Sequence, residues 1–351
     1  MGIHLFLWLL SVTTSCLGST NVFNDKRELQ SKFFNEDWMM SIPDTTPLSA
    51  ITIPGTHESL SLYGGPLVCQ VWTLENQLSV GLRFFDIHAG IWIWTQKYLY
   101  IRDRYWMFSQ GKKVDEVLEC IAKFLEVHKS ETVLMMVTLH GLYKDTAKEL
   151  WATLVDTYKN IMLTSNSVPN MEQARGKIVL LQSHNGPSGG AQVQSSPFFK
   201  NNELISHKVD TMELRLDVCK SHFVLTDMET KRFRIKSQKN LARRVNQQIY
   251  NVVLQSKKSS ASQGCLGVFG MIFPGAELIK AMTLLRPCDC GGAGTPEATP
   301  EPTPEPAPTN TRTSTWTNTR TNTRTSTWTN TWTNTWTNTR TNTWTNTWTN
   351  T

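Results

Sequence analysis

The chain has 351 residues and carries 35 Lys and Arg residues against 29 Asp and Glu residues, a formal net charge of +6. Residues 295–351 repeat Thr with Pro, Glu, Asn, Arg and Trp, a composition that cannot build a hydrophobic core. The rest of the chain is too long for a small disulfide-bonded scaffold and has about the length of one α/β barrel.

The first 18 residues are typical of a secretory signal peptide. Residues 5–10 form an apolar stretch, and residues 16–18 offer small side chains for cleavage before Ser19. Because no Lys or Arg precedes the apolar stretch, a buried N-terminal helix or strand is the alternative. We expect an exported, extracellular protein, in which the six cysteines after residue 18 can form disulfides of undetermined pairing.

Seven short β-branched segments alternate with amphipathic helical segments between Ser49 and Thr283. The predicted strands are 50–53, 82–87, 98–101, 132–139, 177–182, 222–225 and 266–273. The predicted helices are 114–127, 145–161 and 237–254. This alternation is typical of parallel βα units, so we predict an α/β barrel whose functional residues lie where strands end. The stretch 183–220 has no clear period, and we interpret it as an insertion or long loop.

Residues 291–351 are predicted to form a disordered, low-complexity tail. From residue 310 onward, Thr alternates with Asn, Trp, Arg or Ser. Since an Arg codon and a Trp codon can differ by one nucleotide, this part resembles a translated DNA repeat, and a stalk with O-glycosylated Thr is the alternative. Six of the 13 Trp residues lie in this tail, so the high Trp content does not indicate a membrane-binding barrel.

Two segments bear groups that can carry acid–base chemistry. In residues 51–59 a predicted strand leads to His57 and Glu58, an imidazole with a carboxylate beside it. In residues 81–90 the period of a strand predicts that Asp86 and His88 point to the same side. A loop histidine in the first segment and a mutually satisfied polar pair in the second are the alternatives.

Together the two segments, ITIPGTHES at 51–59 and GLRFFDIHAG at 81–90, resemble a known pattern. It is Ser-Ile-Pro-Gly-Thr-His-Asp-Ser followed by Gly-Ile-Arg-x-x-Asp-Ile-Arg, at the start of the X domain of phosphatidylinositol-specific phospholipase C in its short, metal-independent bacterial-type form. The resemblance continues through FLEVHKSETVLM at 124–135 and LGVFGMIFPG at 266–275. It covers roughly residues 38–282.

The resemblance implies a distorted (β/α)8 TIM barrel of the phospholipase C-like phosphodiesterase type, here residues 19–290. It implies a phosphoric diester hydrolase of lipid metabolism that cleaves phosphatidylinositol or a glycosylphosphatidylinositol anchor. The inositol 2-hydroxyl attacks phosphorus, one His takes its proton, a second His protonates the leaving oxygen, and an Arg neutralises the phosphate. On this mapping His57 is the general base, Glu58 and Asp86 are supporting carboxylates, and Arg83 contacts the substrate. No metal or cofactor is expected, and we expect a monomer.

Three positions depart from the family pattern. His88 stands where the family has Arg, Ile272 stands where it has a supporting Asp, and residues 100–106 lack the His of a His-Gly pair. An imidazole cannot offer the permanently charged, bidentate phosphate contact of a guanidinium. The alternative to an enzyme is therefore a catalytically degenerate secreted protein that binds inositol lipid or a partner without turnover.

Other residues can take the missing roles. We predict His88 as a substitute general acid and Arg102, Arg104 or His140 as groups that contact the substrate. A loop position for His140 and a surface ion-pair cluster for the two arginines are the alternatives. A metal-dependent barrel would need a second acidic ligand near Asp86, and the sequence supplies no obvious one.

Seven aromatic residues lie between Trp92 and Phe108, interspersed with Lys and Arg. This composition suits peripheral contact with an anionic membrane, and buried aromatics on a barrel strand are the alternative. The basic runs 231–236 and 243–244 accompany no nucleic-acid motif. We therefore predict solvated helix faces there and no nucleic-acid partner.

Overall fold

A computed structural model of the protein describes residues 21–92, 95–103, 108–183, 186–197, 199–200, 203–204, 221–228, 238–258 and 266–288. The predicted signal peptide 1–18 and tail 291–351 lie outside the described residues, as do Arg104 and the basic run 231–236, so these stay predictions. None of the described helices is long and apolar enough to cross a membrane.

Twelve strands and six α-helices make up the described part of the chain. The strands are β1 Ile53–Thr56, β2 Phe84–Trp92, β3 Thr95–Arg102, β4 Ser109–Lys113, β5 Val133–His140, β6 Met162–Leu163, β7 Ile178–Leu181, β8 Val193–Pro197, β9 Phe199–Lys200, β10 Glu203–Leu204, β11 Phe223–Asp227 and β12 Val268–Met271. The helices are α1 Leu74–Ser79, α2 Val114–Val127, α3 Lys144–Thr157, α4 Met171–Ala174, α5 Gln238–Lys258 and α6 Ala276–Thr283. Short 3-10 helices lie at Ser31–Phe33, Trp38–Ser41, Leu48–Ala50 and Gly65–Leu67.

Eight of the strands form one parallel series in the order β6-β7-β5-β2-β1-β12-β11-β8. The series closes where Ala191, just before β8, bridges to Leu181 of β7, the neighbour of the end strand β6. The fold is therefore the distorted (β/α)8 barrel that the resemblance implied. All three predicted helices are present, as α2, α3 and α5.

Three details of the predicted strand pattern are wrong. The strand predicted at 50–53 begins only at Ile53, after a 3-10 helix that ends at Ala50. The segment 98–101 belongs to β3, which pairs antiparallel with β2 and with β4 instead of forming a barrel strand. Residues 93 and 94 alone separate β2 from β3, and a parallel pair needs a much longer crossover. The stretch 183–220, predicted as a loop, contains β8, which pairs parallel with β11.

Side chains stack in layers inside the barrel because the strand register aligns alternate residues of neighbouring strands. The lower layer is apolar and buried and consists of Ile53, Phe84, Leu134, Val179, Leu225 and Val268. Two residues further along their strands lie Gly55, Asp86, Asp227 and Gly270. The barrel interior thus changes from an apolar layer to a layer with carboxylates over two residues of each strand.

Arg83 lies at the N-terminal end of β2, fully buried. Its guanidinium contacts Glu131 Oε2 at 3.0 Å and donates to the carbonyls of Leu78, Leu82 and Glu36. All of these contacts lie at the N-terminal end of β2. The functional residues of a (β/α) barrel are expected at the opposite, C-terminal ends of the strands. The substrate contact predicted for Arg83 is at odds with this placement, and the residue instead stabilises the barrel.

Removing one member of this buried pair should destabilise the barrel strongly. Arg83→Met leaves the Glu131 carboxylate buried without its partner, so we expect the free energy of unfolding to fall by about 3–5 kcal/mol. Urea denaturation followed by circular dichroism measures the change. Combining Arg83→Met with Glu131→Leu should recover much of the loss, and Lys123→Ala, which removes an exposed pair with Glu119, is the control. Unchanged stability of the single variant would contradict the assignment.

Candidate active site

Three strands bring the predicted polar residues of the barrel together. His57 and Glu58 follow β1 directly, β2 carries Asp86 and His88, and β5 ends at His140. As the strand period predicted, the side chains of Asp86 and His88 meet, with the carboxylate Oδ2 3.2 Å from the imidazole Nε2. The structure therefore brings together five of the predicted site residues at the C-terminal mouth of the barrel.

The carboxylate of Asp86 is the centre of this cluster. Its Oδ2 accepts the backbone N–H of Glu58 at 3.1 Å and lies 3.4 Å from Nδ1 of His57. With His88 it therefore faces three donors, although the residue is only 3% exposed. Burial by itself disfavours the charged form, but the charge of His88 and its hydrogen bond dominate and lower the pKa of Asp86. The carboxylate is therefore ionised throughout the range in which the histidines titrate.

The loop after β1 is tied to β2 by reciprocal backbone contacts. Ser59 N–H donates to the carbonyl of Asp86, and Asp86 N–H donates to Ser59 Oγ at 2.8 Å. Glu58 has a φ of 41°, a left-handed conformation that is uncommon for residues other than glycine. Such strain persists only where surrounding contacts enforce it, and it is frequent at functional sites.

His57 lies between carboxylates and is itself 4% exposed. Its Nδ1 is 2.9 Å from Asp227 Oδ1, and its Nε2 is 3.6 Å from Glu58 Oε1. Burial alone would lower the pKa of His57, but the negative charges of Asp227, Glu58 and Asp86 raise it well above its ordinary value. Carboxylates only accept, and Nδ1 faces two of them with the shorter contact, whereas Nε2 faces one at 3.6 Å. The proton of the neutral imidazole is therefore favoured on Nδ1, and Nε2 then carries the lone pair that a general base needs.

Asp227 was missed by the sequence reasoning. It ends β11, two residues beyond the predicted strand 222–225, and a carboxylate directly after a barrel strand was the signal that could have identified it. A Cβ on Gly270 would lie 2.7 Å from Asp227 Oδ1, so glycine at that position makes room for the carboxylate. The position where the family pattern has Asp is Ile272, a buried apolar residue, and Asp227 supplies a carboxylate to His57 from a neighbouring strand.

His88 and His140 form a pair of imidazoles in contact. Nδ1 of His88 lies 2.9 Å from Nε2 of His140, with ring planes 19° apart. Burial disfavours charge on His88, but the neighbouring carboxylates of Asp86 and Glu58 raise its pKa. Burial and the charge of His88 lower the pKa of His140 to about 4. His88 is thus the ring of the pair that holds the charge, and His140 is neutral.

Arg102 is placed beside this cluster by the antiparallel hairpin. The register that pairs Ala89 with Ile101 sets Arg102 across from His88. Its guanidinium lies 4.8 Å from the centre of the Trp92 ring, and only 6% of the residue is exposed. A cation stacked on Trp is a favourable contact, and it leaves the charge near the mouth of the barrel.

Three of these residues also have the spacing of a cation site. One ligand atom each from His57, Asp86 and Asp227 lie within 4.8 Å of one another. Nδ1 of His57 lies at ion-pair distance from the two carboxylates, 2.9 and 3.4 Å, so a protonated imidazole also fits between them. Asp227 is the second acidic group near Asp86 that the sequence did not point to.

Residues 45–184, which include β1, β2 and β5 with their site residues, match the model of the phosphatidylinositol-specific phospholipase C X domain. This segment of the chain is therefore assigned to the X-domain family. The solved structure of phosphatidylinositol-specific phospholipase C from Listeria monocytogenes shares the fold, with a TM-score of 0.55 and 24% identity over 71% of this chain and 98% of that chain.

Curated relatives are similar to part of this chain. A 1-phosphatidylinositol phosphodiesterase of Listeria monocytogenes is 29% identical over 176 residues, which are 45% of this chain and 52% of the relative. One of Staphylococcus aureus (strain Newman) is 25% identical over 52% of this chain and 63% of the relative. Human PI-PLC X domain-containing protein 3 is 28% identical over 36% of this chain and 49% of the relative. The chain thus spans about half the length of these relatives or somewhat more.

Asp227→Asn tests the electrostatic support of His57. The Asp227 charge raises the pKa of His57, so its removal should lower that pKa, and the imidazole should lose its proton at a lower pH than in the unmodified protein. Titration of the His57 ring by NMR measures the shift without reference to activity. Asp145→Asn, which changes an exposed carboxylate on α3, is the control. An unchanged His57 titration in the first variant would show that Asp227 does not act on this imidazole.

Proposed function

We propose that the protein is a phosphoric diester hydrolase that cleaves phosphatidylinositol or a glycosylphosphatidylinositol anchor by attack of the inositol 2-hydroxyl. The observation that carries this proposal is the His57 imidazole, whose Nδ1 side faces two carboxylates at the mouth of the barrel. Two bacterial relatives bear the name 1-phosphatidylinositol phosphodiesterase, which supports the substrate class.

In this proposal the residues act through proton transfer and charge. Nε2 of His57 takes the 2-hydroxyl proton, the oxygen bonds to phosphorus, and the bond to the diacylglycerol oxygen breaks, giving a cyclic inositol phosphate. Asp86 and Asp227 hold the base and stabilise the imidazolium that forms. The positive charges of His88 and Arg102 offset the charge that develops on the phosphate oxygens.

A second function is favoured by one observation: an imidazole, His88, stands where the family pattern has the phosphate-binding arginine. A guanidinium keeps its charge at every physiological pH, but an imidazole loses it on deprotonation. A protein with this change can retain a pocket for the inositol headgroup without turning it over. The alternative is therefore a catalytically degenerate lipid-binding protein with the same barrel.

Turnover of phosphatidylinositol vesicles separates the two functions. We expect release of water-soluble inositol phosphate by the purified protein and a loss of about 10²-fold or more in His57→Gln, since a general base contributes 10²–10⁴-fold. Excess EDTA should not change the rate, because protons balance the charges of the cluster. Vesicle binding without turnover would support the degenerate protein, and a loss of rate in EDTA would show that His57, Asp86 and Asp227 bind a metal.

An exposed apolar rim supports action at a lipid surface. The rim residues are Tyr63, Trp92, Tyr98, Phe108 and Leu142, which are 56%, 40%, 46%, 38% and 84% exposed. Gly90 pairs with His140, so Trp92 and Leu142, each two residues further on, leave the sheet at the same edge. Lys113 Nζ lies 4.1 Å from the centre of the Tyr98 ring, which adds positive charge beside the rim. We propose peripheral contact of this rim with an anionic membrane.

We also propose that the protein is exported and acts as a monomer. The apolar residues 5–10 support a signal peptide, and Cys288 is disulfide-bonded, which is common in exported proteins. Acting outside the cell, such a protein would meet inositol phospholipid or anchored proteins at a membrane surface.

The rim can be tested apart from the chemistry. Leu142→Ser should weaken binding to phosphatidylinositol-containing vesicles by roughly ten-fold, because burying a leucine side chain is worth about 1.5–3 kcal/mol. Vesicle sedimentation measures the affinity. Val127→Ser is the matched control, since Val127 is 75% exposed but ends α2 at the opposite end of the barrel. Equal affinities of the two variants would argue against the rim.

A further inference from the structure

Three side chains form a continuous hydrogen-bonded series that leads from the buried cluster outward. Asp86 Oδ2 contacts Nε2 of His88 at 3.2 Å, and Nδ1 of His88 contacts Nε2 of His140 at 2.9 Å. His88 is 8% exposed, and His140, which ends β5, is the more accessible ring. The series therefore has a charged inner end and an imidazole at its outer end.

The hydrogen bonds fix which nitrogen carries each proton. Because a carboxylate only accepts, Nε2 of His88 must be the donor to Asp86. When His88 is charged, its Nδ1 also donates, so Nε2 of His140 accepts and the proton of neutral His140 sits on Nδ1. When His88 is neutral, its Nδ1 accepts, and Nε2 of His140 must donate. The hydrogen bond between the two rings is therefore present whether His88 is charged or neutral. The two protonation states differ by one proton, which Nδ1 of His140 carries only when His88 is charged.

We propose that His140 is the catalytic acid of the reaction and that His88 resupplies its proton. The inference rests on the proposed function, because it needs a leaving oxygen that must be protonated. It gives a role to the two imidazoles in a chain whose residues 100–106 contain no histidine. The substrate class that requires this acid is a phosphodiester with a poorly acidic alcohol as leaving group, such as diacylglycerol.

The step balances in protons and charge. The phosphorus–oxygen bond to the leaving alcohol breaks, and its oxygen takes the proton from Nδ1 of His140. At the same time the proton on Nδ1 of His88 moves to Nε2 of His140. His88 ends neutral with its Nε2–H still directed at Asp86, and His140 ends neutral with its Nε2–H directed at His88. No oxidant, metal or further reactant takes part.

The charged groups around the pair fit these roles. Asp86 and Glu58 face His88 and favour its charged form, and His57 opposes that charge. His140 is kept neutral by burial and by the charge of His88, with Lys144 of α3 acting in the same direction. A neutral ring between a cation and the substrate can pass a proton along without holding a charge of its own.

Two substrates with different leaving groups test the proposal. In His140→Ala we expect turnover of phosphatidylinositol to fall by about 10²–10⁴-fold, the range for loss of a general acid. A nitrophenyl ester of inositol phosphate has a leaving group that departs without protonation, so its turnover should be almost unchanged in the same variant. Equal losses on both substrates would overturn the acid role, because they would indicate a structural or phosphate-binding function.

Control variants keep the test independent of folding and of the proposed function. His140→Asn retains a side-chain N–H but cannot pass a proton, so it should show the same selective loss. His57→Gln should lose both activities, because the base is needed whatever the leaving group. Urea denaturation of each variant checks that the barrel is intact, and a selective loss cannot arise from unfolding. If the unmodified protein turns over neither substrate, the proposed function fails, and the acid role of His140 fails with it.

Discussion

The carboxylate of Asp86 links every part of the site, since one oxygen faces the backbone of the β1 loop and two imidazoles. A buried carboxylate without partners would be protonated or would destabilise the fold. Here the N–H of Glu58 and the rings of His57 and His88 surround it at 3.1 to 3.4 Å. The orientation of both histidines therefore follows from the need to satisfy this one buried charge.

The position of that charge follows from the layers of the barrel. Phe84 fills the apolar layer, and Asp86, two residues along β2, points into the same interior. Space for the Asp227 carboxylate comes from Gly270, where a Cβ would lie 2.7 Å from Asp227 Oδ1, and Gly55 likewise makes room for Phe84. A glycine on β12 thus allows the Asp227 carboxylate to lie beside the neighbouring strand.

Residues with local signals could be predicted from the sequence. The strand period placed Asp86 and His88 on one side, and the strand end placed His57 at the barrel mouth. Asp227 could not be assigned to His57, because their contact arises from the order β11-β12-β1, which joins strands distant in sequence. The role of Arg83 was mistaken for a similar reason, since its partner Glu131 lies 48 residues further along the chain.

Substrate binding and turnover favour different protonation states of the histidines. Three carboxylates, those of Glu58, Asp86 and Asp227, face two imidazoles, so an anionic phosphodiester is best accommodated when both rings are protonated. Catalysis instead needs His57 neutral and His88 charged. The carboxylates that orient His57 also raise its pKa, which makes the neutral fraction smaller at neutral pH but makes each neutral imidazole a stronger base. The phosphate faces an imidazole where a guanidinium would keep its charge, so the guanidinium of Arg102, stacked on Trp92, supplies a positive charge that persists through the cycle. The balance between a stronger base and a weaker phosphate contact is therefore what separates an enzyme from a lipid-binding protein on this barrel.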